Sequence, residues 1–307
     1  MAPNTRIQIF FFSILVFTAC SNITKTEGIA TGSDATPIHY KTIGDGPPLL
    51  IINGGPGMNC NGFENLAESL SATNLAIIYD QRGTGKSVLK TLDSTTITIQ
   101  LMLEDIERLR EHLKIEKWSV LGHSFGGMLA SQYATQYPQR IEKLILSSSG
   151  GIDLDLLNYV GKSINSKLSA VQLDSINYWT QKINDGDTSH SARLGRGRNL
   201  APAYVLKQNY LPVIAERLTQ GNGTINQLIW QDFQKINFNC AEKLKTFKQP
   251  VLIIQGKQDI IHAETAEKAH AVLSNSKIVL MDNCIHYGWL DNPEVYFKEV
   301  NSFLSSN

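Results

Sequence analysis

Six short apolar runs do more than any other feature to limit how this chain can fold: "PLLIING" (48–54), "LAIIYD" (75–80), "WSVLGH" (118–123), "KLILSS" (143–148), "PVLIIQG" (250–256) and "KIVLMD" (277–282). A strand with one wet face alternates apolar and polar residues, whereas a run that is apolar nearly throughout has both faces covered. Such sheets are mostly parallel, because the helices that cross between parallel strands lie over them. Helical patterns fill the gaps. Leu101, Ile106, Leu109 and Leu113 fall on one face of the segment before Trp118, residues 125–137 form a small-residue helix stopped by Pro138, and 263–273 and 293–303 are amphipathic. The expected architecture is an open α/β fold, a mostly parallel sheet with helices on both faces.

Between residues 151 and 248 the alternation lapses into polar, helix-like sequence with the Gly/Arg-rich "RLGRGRNLAP" in its middle. A helical cap inserted between core strands accounts for this, leaving 37–150 and 249–307 as the core. Such insertions sit over the site that a rigid scaffold presents.

The N-terminus reads as a processing segment. After Arg6 comes "IQIFFFSILVF" (7–17), too short for a transmembrane helix of roughly 20 apolar residues and the right length for a secretory apolar region of about 7–15. Thr18 and Ala19 before Cys20 resemble the lipobox of bacterial lipoprotein precursors, with Phe17 where Leu is usual. Residues 1–20 are therefore expected to be a lipoprotein-type signal with Cys20 lipidated, holding the protein at the bacterial cell envelope. Cleavage after Ser21, giving a periplasmic or secreted soluble product, is the alternative. Residues 21–36 read as a flexible tether. Cys60, Cys240 and Cys284 remain, an odd number that permits at most one internal disulfide. Cys60 and Cys284 both follow loops expected at the site, so they are the pair expected to approach.

The strongest chemical signal is "VLGHSFGGMLA" (120–130). An apolar strand, Gly-x-Ser-x-Gly and a small-residue helix make a nucleophile elbow, in which Gly122 and Gly126 permit a strained turn that lifts Ser124 out of the sheet. A serine hydroxyl needs a base to take its proton and an acid to orient that base, in chain order Ser, Asp or Glu, His. Asp259, just past one strand, and His286, just past the next, fill those places. His262 is the rival base, and Asp153 and Asp155 are the rival acids. Asp282 is too near His286 in sequence. His123 is expected to pack beneath the site. Acyl transfer also needs donors for the developing oxyanion: the N–H of Phe125, and one from "NGGPG" (53–57), where Gly54 and Gly55 let the backbone approach the substrate. Cys284 and His286 lie close together, but the spacing of a zinc site is not met, and neither a metal nor a cofactor is expected.

The stretch "YDQRGTGKS" (79–87) mimics the end of a phosphate loop. That loop requires a Gly five positions before Gly85, where Asp80 stands, so no nucleotide is expected. Basic and acidic residues balance at 28 each with no basic run, and no nucleic-acid partner is expected.

With these pieces assembled, residues 37–307 resemble the α/β-hydrolase superfamily and, more narrowly, the proline iminopeptidase family of serine peptidases. That family combines an HGGPG loop, a DQRGxGxS segment, the elbow and a cap. Here Asn53 replaces the His, while Asp80-Gln81-Arg82-Gly83-Thr84-Gly85-Lys86-Ser87 matches at every fixed position. The resemblance implies Ser124, Asp259 and His286 as the triad, Gly55 and Phe125 as oxyanion donors, and release of an N-terminal residue, often Pro, from short peptides. Family members hold the substrate ammonium with acidic cap residues. No cap glutamate here matches theirs, and Glu216, Asp232 and Asp174 are compositional candidates. The competing readings are a carboxylesterase or lactonase with the same triad, and a degenerate binding lipoprotein, against which the complete Ser, Asp, His set speaks.

Overall fold

The computed structural model describes residues 24–306. The expected signal segment and Cys20 lie outside the described residues. Eight strands form one sheet: β1 (Lys25–Thr31), β2 (Pro37–Ile43), β3 (Pro48–Ile52), β4 (Leu75–Tyr79), β5 (Trp118–His123), β6 (Ile141–Ser147), β7 (Val251–Gly256) and β8 (Ser276–Met281), in the order β1-β2-β4-β3-β5-β6-β7-β8. From β4 to β8 all neighbours are parallel, and β1 and β2 add antiparallel at one side. The six apolar runs are the six parallel strands. In β3, Leu50 and Ile52 face one buried layer and Leu49 and Ile51 the other, so a period of two across two dry faces leaves no place for a polar residue.

Strand β1 corrects the expected tether at 21–36. Lys25 to Thr31 pair with Ile43 to Pro37 along the whole of β2, so the folded unit begins at least twelve residues before Pro37. The strand lies at the sheet edge, and only Ala30 is buried within it. Its sequence, "KTEGIAT", is polar and largely exposed, with no apolar run to read.

Helices α1 (Glu64–Leu70), α2 (Ile99–His112) and α3 (Phe125–Gln136) join the first strands. Between β6 and β7 the chain is helical: α4 (Val160–Ser166), α5 (Ala170–Asn184), α6 (His190–Leu200), α7 (Leu211–Leu218), α8 (Gly223–Lys235) and α9 (Ala241–Leu244). The Gly/Arg-rich stretch is helix α6. A Cβ on Gly195 would stand 2.4 Å from the Trp179 ring, and one on Gly197 would stand 2.5 Å from the Ala215 carbonyl, so the glycines are where α6 crosses α5 and α7. Helices α10 (Ala263–Val272), α11 (Gly288–Asp291) and α12 (Pro293–Ser305) close the core.

Candidate active site

Ser124 sits between β5 and α3 with φ 56° and ψ −122°, a left-handed backbone that a side chain adopts only under strain. The turn is held on three sides. The Ser124 N–H donates to the Ser147 carbonyl at 3.1 Å, and its own carbonyl accepts from Gly127 and Gly150 at 2.9 and 3.0 Å. The glycines are required by contact: a Cβ on Gly126 would stand 2.2 Å from the Ile52 carbonyl, and one on Gly122 2.3 Å from the Gly126 carbonyl. Strand, elbow and helix therefore interlock with β3, and Ser124 is left half-buried at the strand end.

His286 and Asp259 come together from the loops after β8 and β7. Their Nδ1···Oδ1 distance is 2.8 Å, and both are buried. Asp259 also accepts from the Ile261 N–H at 3.1 Å, and the His286 N–H donates to the Tyr204 carbonyl of the cap side at 3.1 Å. The structure separates the rivals from this pair. His262 is exposed and stacks on Tyr159, while Asp153 and Asp155 both bind Lys268. His123 is packed among Phe63, Trp289, Tyr287 and His286, with its ring centroid 4.7 Å from that of His286. Sequence reading missed Asp291. Its carboxylate accepts from Ile285 N–H at 2.9 Å and from Leu206 N–H at 2.8 Å, tying the His286 loop to the cap segment between α6 and α7.

The loop 53–57 is held from two directions. From the core, Gln81 Nε2 donates to the Asn53 carbonyl at 3.0 Å; from the cap, Arg217 of α7 donates to the Gly54 carbonyl at 2.9 Å. Asn53 braces the loop further through its amide, which donates to the Gly54 and Met58 carbonyls, both at 3.1 Å. In a trans peptide the C=O and the following N–H point in opposite directions, so fixing the Gly54 oxygen aims the Gly55 N–H away from the clamp. Gly55 has φ +77°, which its missing Cβ permits. Among the described residues neither the Gly55 nor the Phe125 N–H donates to a protein acceptor.

Beneath the loop, Asp80, Gln81 and Arg82 are buried and serve three different elements. Asp80 accepts from the Cys60 and Lys86 N–H groups at 3.0 and 2.8 Å, so its own carboxylate fills the turn that looked like a phosphate cradle. Arg82 makes a two-pronged contact with Asp105 of α2, at 2.7 and 3.0 Å, and donates to the Thr96 carbonyl and to Ser33. The segment thus fastens the start of the fold to the loop at the site.

The sequence profile of the alpha/beta hydrolase fold matches residues 47–293. The chain belongs to the α/β-hydrolase family. A proline iminopeptidase from Heyndrickxia coagulans is 26% identical over 292 residues, spanning 92% of this chain and 99% of that protein. A solved α/β fold family hydrolase from Bacillus anthracis superposes with TM-score 0.73 at 22% identity, covering 91% of this chain and 99% of that one. An esterase from Exiguobacterium antarcticum gives 0.69 at 22%, covering 92% and 100%.

In this α/β hydrolase, Ser124, Phe125, Gly54, Gly55 and His286 line a cavity of about 140 Å³ whose remaining wall is mostly apolar, with Met128, Leu156, Trp230 and Ile260. No carboxylate is among its lining residues. The three acidic candidates lie elsewhere. Glu216 pairs with His190 at 2.8 Å on the surface, Asp232 accepts from the Ile99 N–H at 2.7 Å and so caps α2, and Asp174 is exposed on α5. The expected approach of Cys60 and Cys284 to form a disulfide is also corrected. Both, with Cys240, are buried free thiols. Burial and the adjacent Asp80 push the Cys60 thiol well up, while the Cys284 thiol faces the Ile285 carbonyl.

Proposed function

We propose that this hydrolase cleaves an ester or amide of an uncharged, apolar acyl group through an acyl-enzyme, with Ser124 as nucleophile. The observation that carries the reading is the 2.8 Å pair of His286 and Asp259 at the cavity that Ser124 lines. His286 takes the Ser124 proton as Oγ bonds to the substrate carbonyl carbon, and Asp259 holds the imidazole and stabilises its cation. The carbonyl oxygen gains a negative charge facing the Gly55 and Phe125 N–H groups. The His286 proton passes to the leaving group as its bond to carbon breaks. Water then repeats the sequence, releasing the acid and restoring Ser124.

A second reading, release of N-terminal residues from short peptides, is favoured by the relatives, which are proline iminopeptidases at about a quarter identity. It requires an anionic partner for the substrate ammonium, and the apolar wall favours an uncharged acyl group instead. Fluorophosphonate labelling of the wild type and Ser124→Ala, followed by p-nitrophenyl ester and Pro-arylamide assays, tests both. Equal labelling of the two proteins refutes Ser124 as nucleophile, and efficient Pro-arylamide turnover refutes the uncharged-acyl reading. We also propose export and anchoring through Cys20. Cys20→Ser should then move the protein from the membrane to the soluble fraction of expressing bacteria, and an unchanged distribution refutes the anchor.

A further inference from the structure

Beside the catalytic cavity lies a larger cleft of about 680 Å³, which shares Gly55, Met58, Tyr204 and Leu218 with it and is walled by the cap. Its only charged lining residues are Arg193 and Arg196, three apart on one side of α6. The second of these is half-buried and directed: its Nε donates to Thr180 Oγ1 at 3.1 Å, leaving the two terminal nitrogens of the guanidinium available. Among the described residues neither arginine has a carboxylate within ion-pair distance. Tyr204, which lines both the catalytic cavity and the cleft, packs with its ring 5.5 Å from His286. The glycines that alternate with the arginines set α6 tightly against Trp179 and Ala215, so the helix presents them from a fixed position.

Building on the acyl-enzyme reading above, we propose that the leaving group of the natural substrate carries a carboxylate, received in this cleft by Arg193 and Arg196. The apolar cavity takes the acyl group and the cationic cleft takes the departing half. A guanidinium fork matches a carboxylate with two parallel hydrogen bonds, and a cleft lined by one sign of charge draws the opposite sign toward the nucleophile.

The test compares 4-(butyryloxy)benzoate with its methyl ester, each rate divided by the rate of the same compound with hydroxide. The expected ratio of kcat/KM favours the anion by about tenfold, the scale of one charge-assisted hydrogen bond in a half-open cleft. The preference should fall toward one in Arg193→Gln/Arg196→Gln and with rising salt. A wild-type ratio at or below one, with the methyl ester turned over, overturns the proposal. If neither ester is cleaved, the acyl-enzyme reading fails, and calorimetry decides the cleft separately. Tighter binding of 4-hydroxybenzoate than of methyl 4-hydroxybenzoate, lost in the double variant, supports the anion site, and equal affinity overturns it.

Discussion

Replacing Arg217 by Met tests whether the cap completes the oxyanion site. The guanidinium is buried and donates to the Gly54 and Asn61 carbonyls at 2.9 and 2.7 Å, with its centre 4.6 Å from the Phe63 ring centroid. Two charge-assisted bonds at about 1.5–3 kcal/mol each suggest a stability loss of about 3–5 kcal/mol, since water recovers part of what is lost. The effect on catalysis is separate. An oxyanion donor contributes about 2.7–4 kcal/mol to transition-state stabilisation. Freeing the Gly54–Gly55 peptide to rock removes part of that, so kcat for a neutral p-nitrophenyl ester should fall roughly ten- to hundredfold while KM changes little. A control of similar stability cost is Leu109→Ala, a fully buried core position on α2 away from the site, at about 2–5 kcal/mol. Assays run well below both melting temperatures. Full kcat in Arg217→Met, or an equal loss in Leu109→Ala, refutes the reasoning.

Four further outcomes are expected. Asp259→Asn should lower ester kcat/KM by about 10⁴ at pH 7, because the amide favours the wrong imidazole tautomer, and a loss under tenfold would remove Asp259 from the site. Arg82→Leu should cost about 3–5 kcal/mol in urea unfolding by leaving Asp105 buried and unpaired, whereas Arg82→Leu/Asp105→Leu should recover much of it. Burial, together with the His286 and Arg217 charges, holds His123 well below the ordinary imidazole range. The unfolded chain takes up that proton first as pH falls through about 6.5, so stability should fall by up to about 1.4 kcal/mol per pH unit from pH 6.5 to 5, and His123→Phe should flatten the slope. Burial pushes the Cys240 thiol up to about 12, and iodoacetamide at pH 8 should leave Cys60, Cys240 and Cys284 unmodified until the protein is denatured.

The five parallel strands β3 to β7 could be read because burial on both faces writes a continuous apolar run, β8 because its edge position still keeps the apolar run Ile278 to Met281, and the elbow because steric contact demands glycine at 122 and 126. Strand β1 could not, since "KTEGIAT" is mostly polar, exposed and without an apolar run, and so looks like any polar linker. Chain order relative to strands pointed to Asp259 and His286, which the fold brings to within 2.8 Å of each other, over His262, which lies exposed. Cap function was not legible. Glu216, Asp232 and Asp174 were chosen by charge alone, and whether a carboxylate faces a cavity, a helix end or solvent depends on tertiary placement that has no local pattern. For the same reason Arg217 escaped notice: a cation on an amphipathic helix reads as solvated unless its direction is known.

Two of the buried arginines, Arg82 and Arg217, differ in a way that bears on the proposed mechanism. Arg82 is matched by the Asp105 carboxylate, so its charge is neutralised in the resting protein. Arg217 has only carbonyl and amide oxygens as hydrogen-bond partners, and among the described residues no carboxylate pairs with it. A buried charge without a counterion is costly in a resting protein, and hydrogen bonds to carbonyls offset only part of that cost. In the proposed acyl-enzyme mechanism the charge would gain a counterion as an oxyanion forms at the Gly55 N–H, on the far side of the same peptide that the guanidinium grips. An interaction absent from the ground state and present in the transition state is the kind that raises turnover. Charge and geometry can be separated here. Arg217→Lys keeps the cation and loses the fork, so turnover between those of the wild type and Arg217→Met indicates that the field itself contributes. Turnover equal to that of Arg217→Met assigns the whole effect to the aim of one peptide plane.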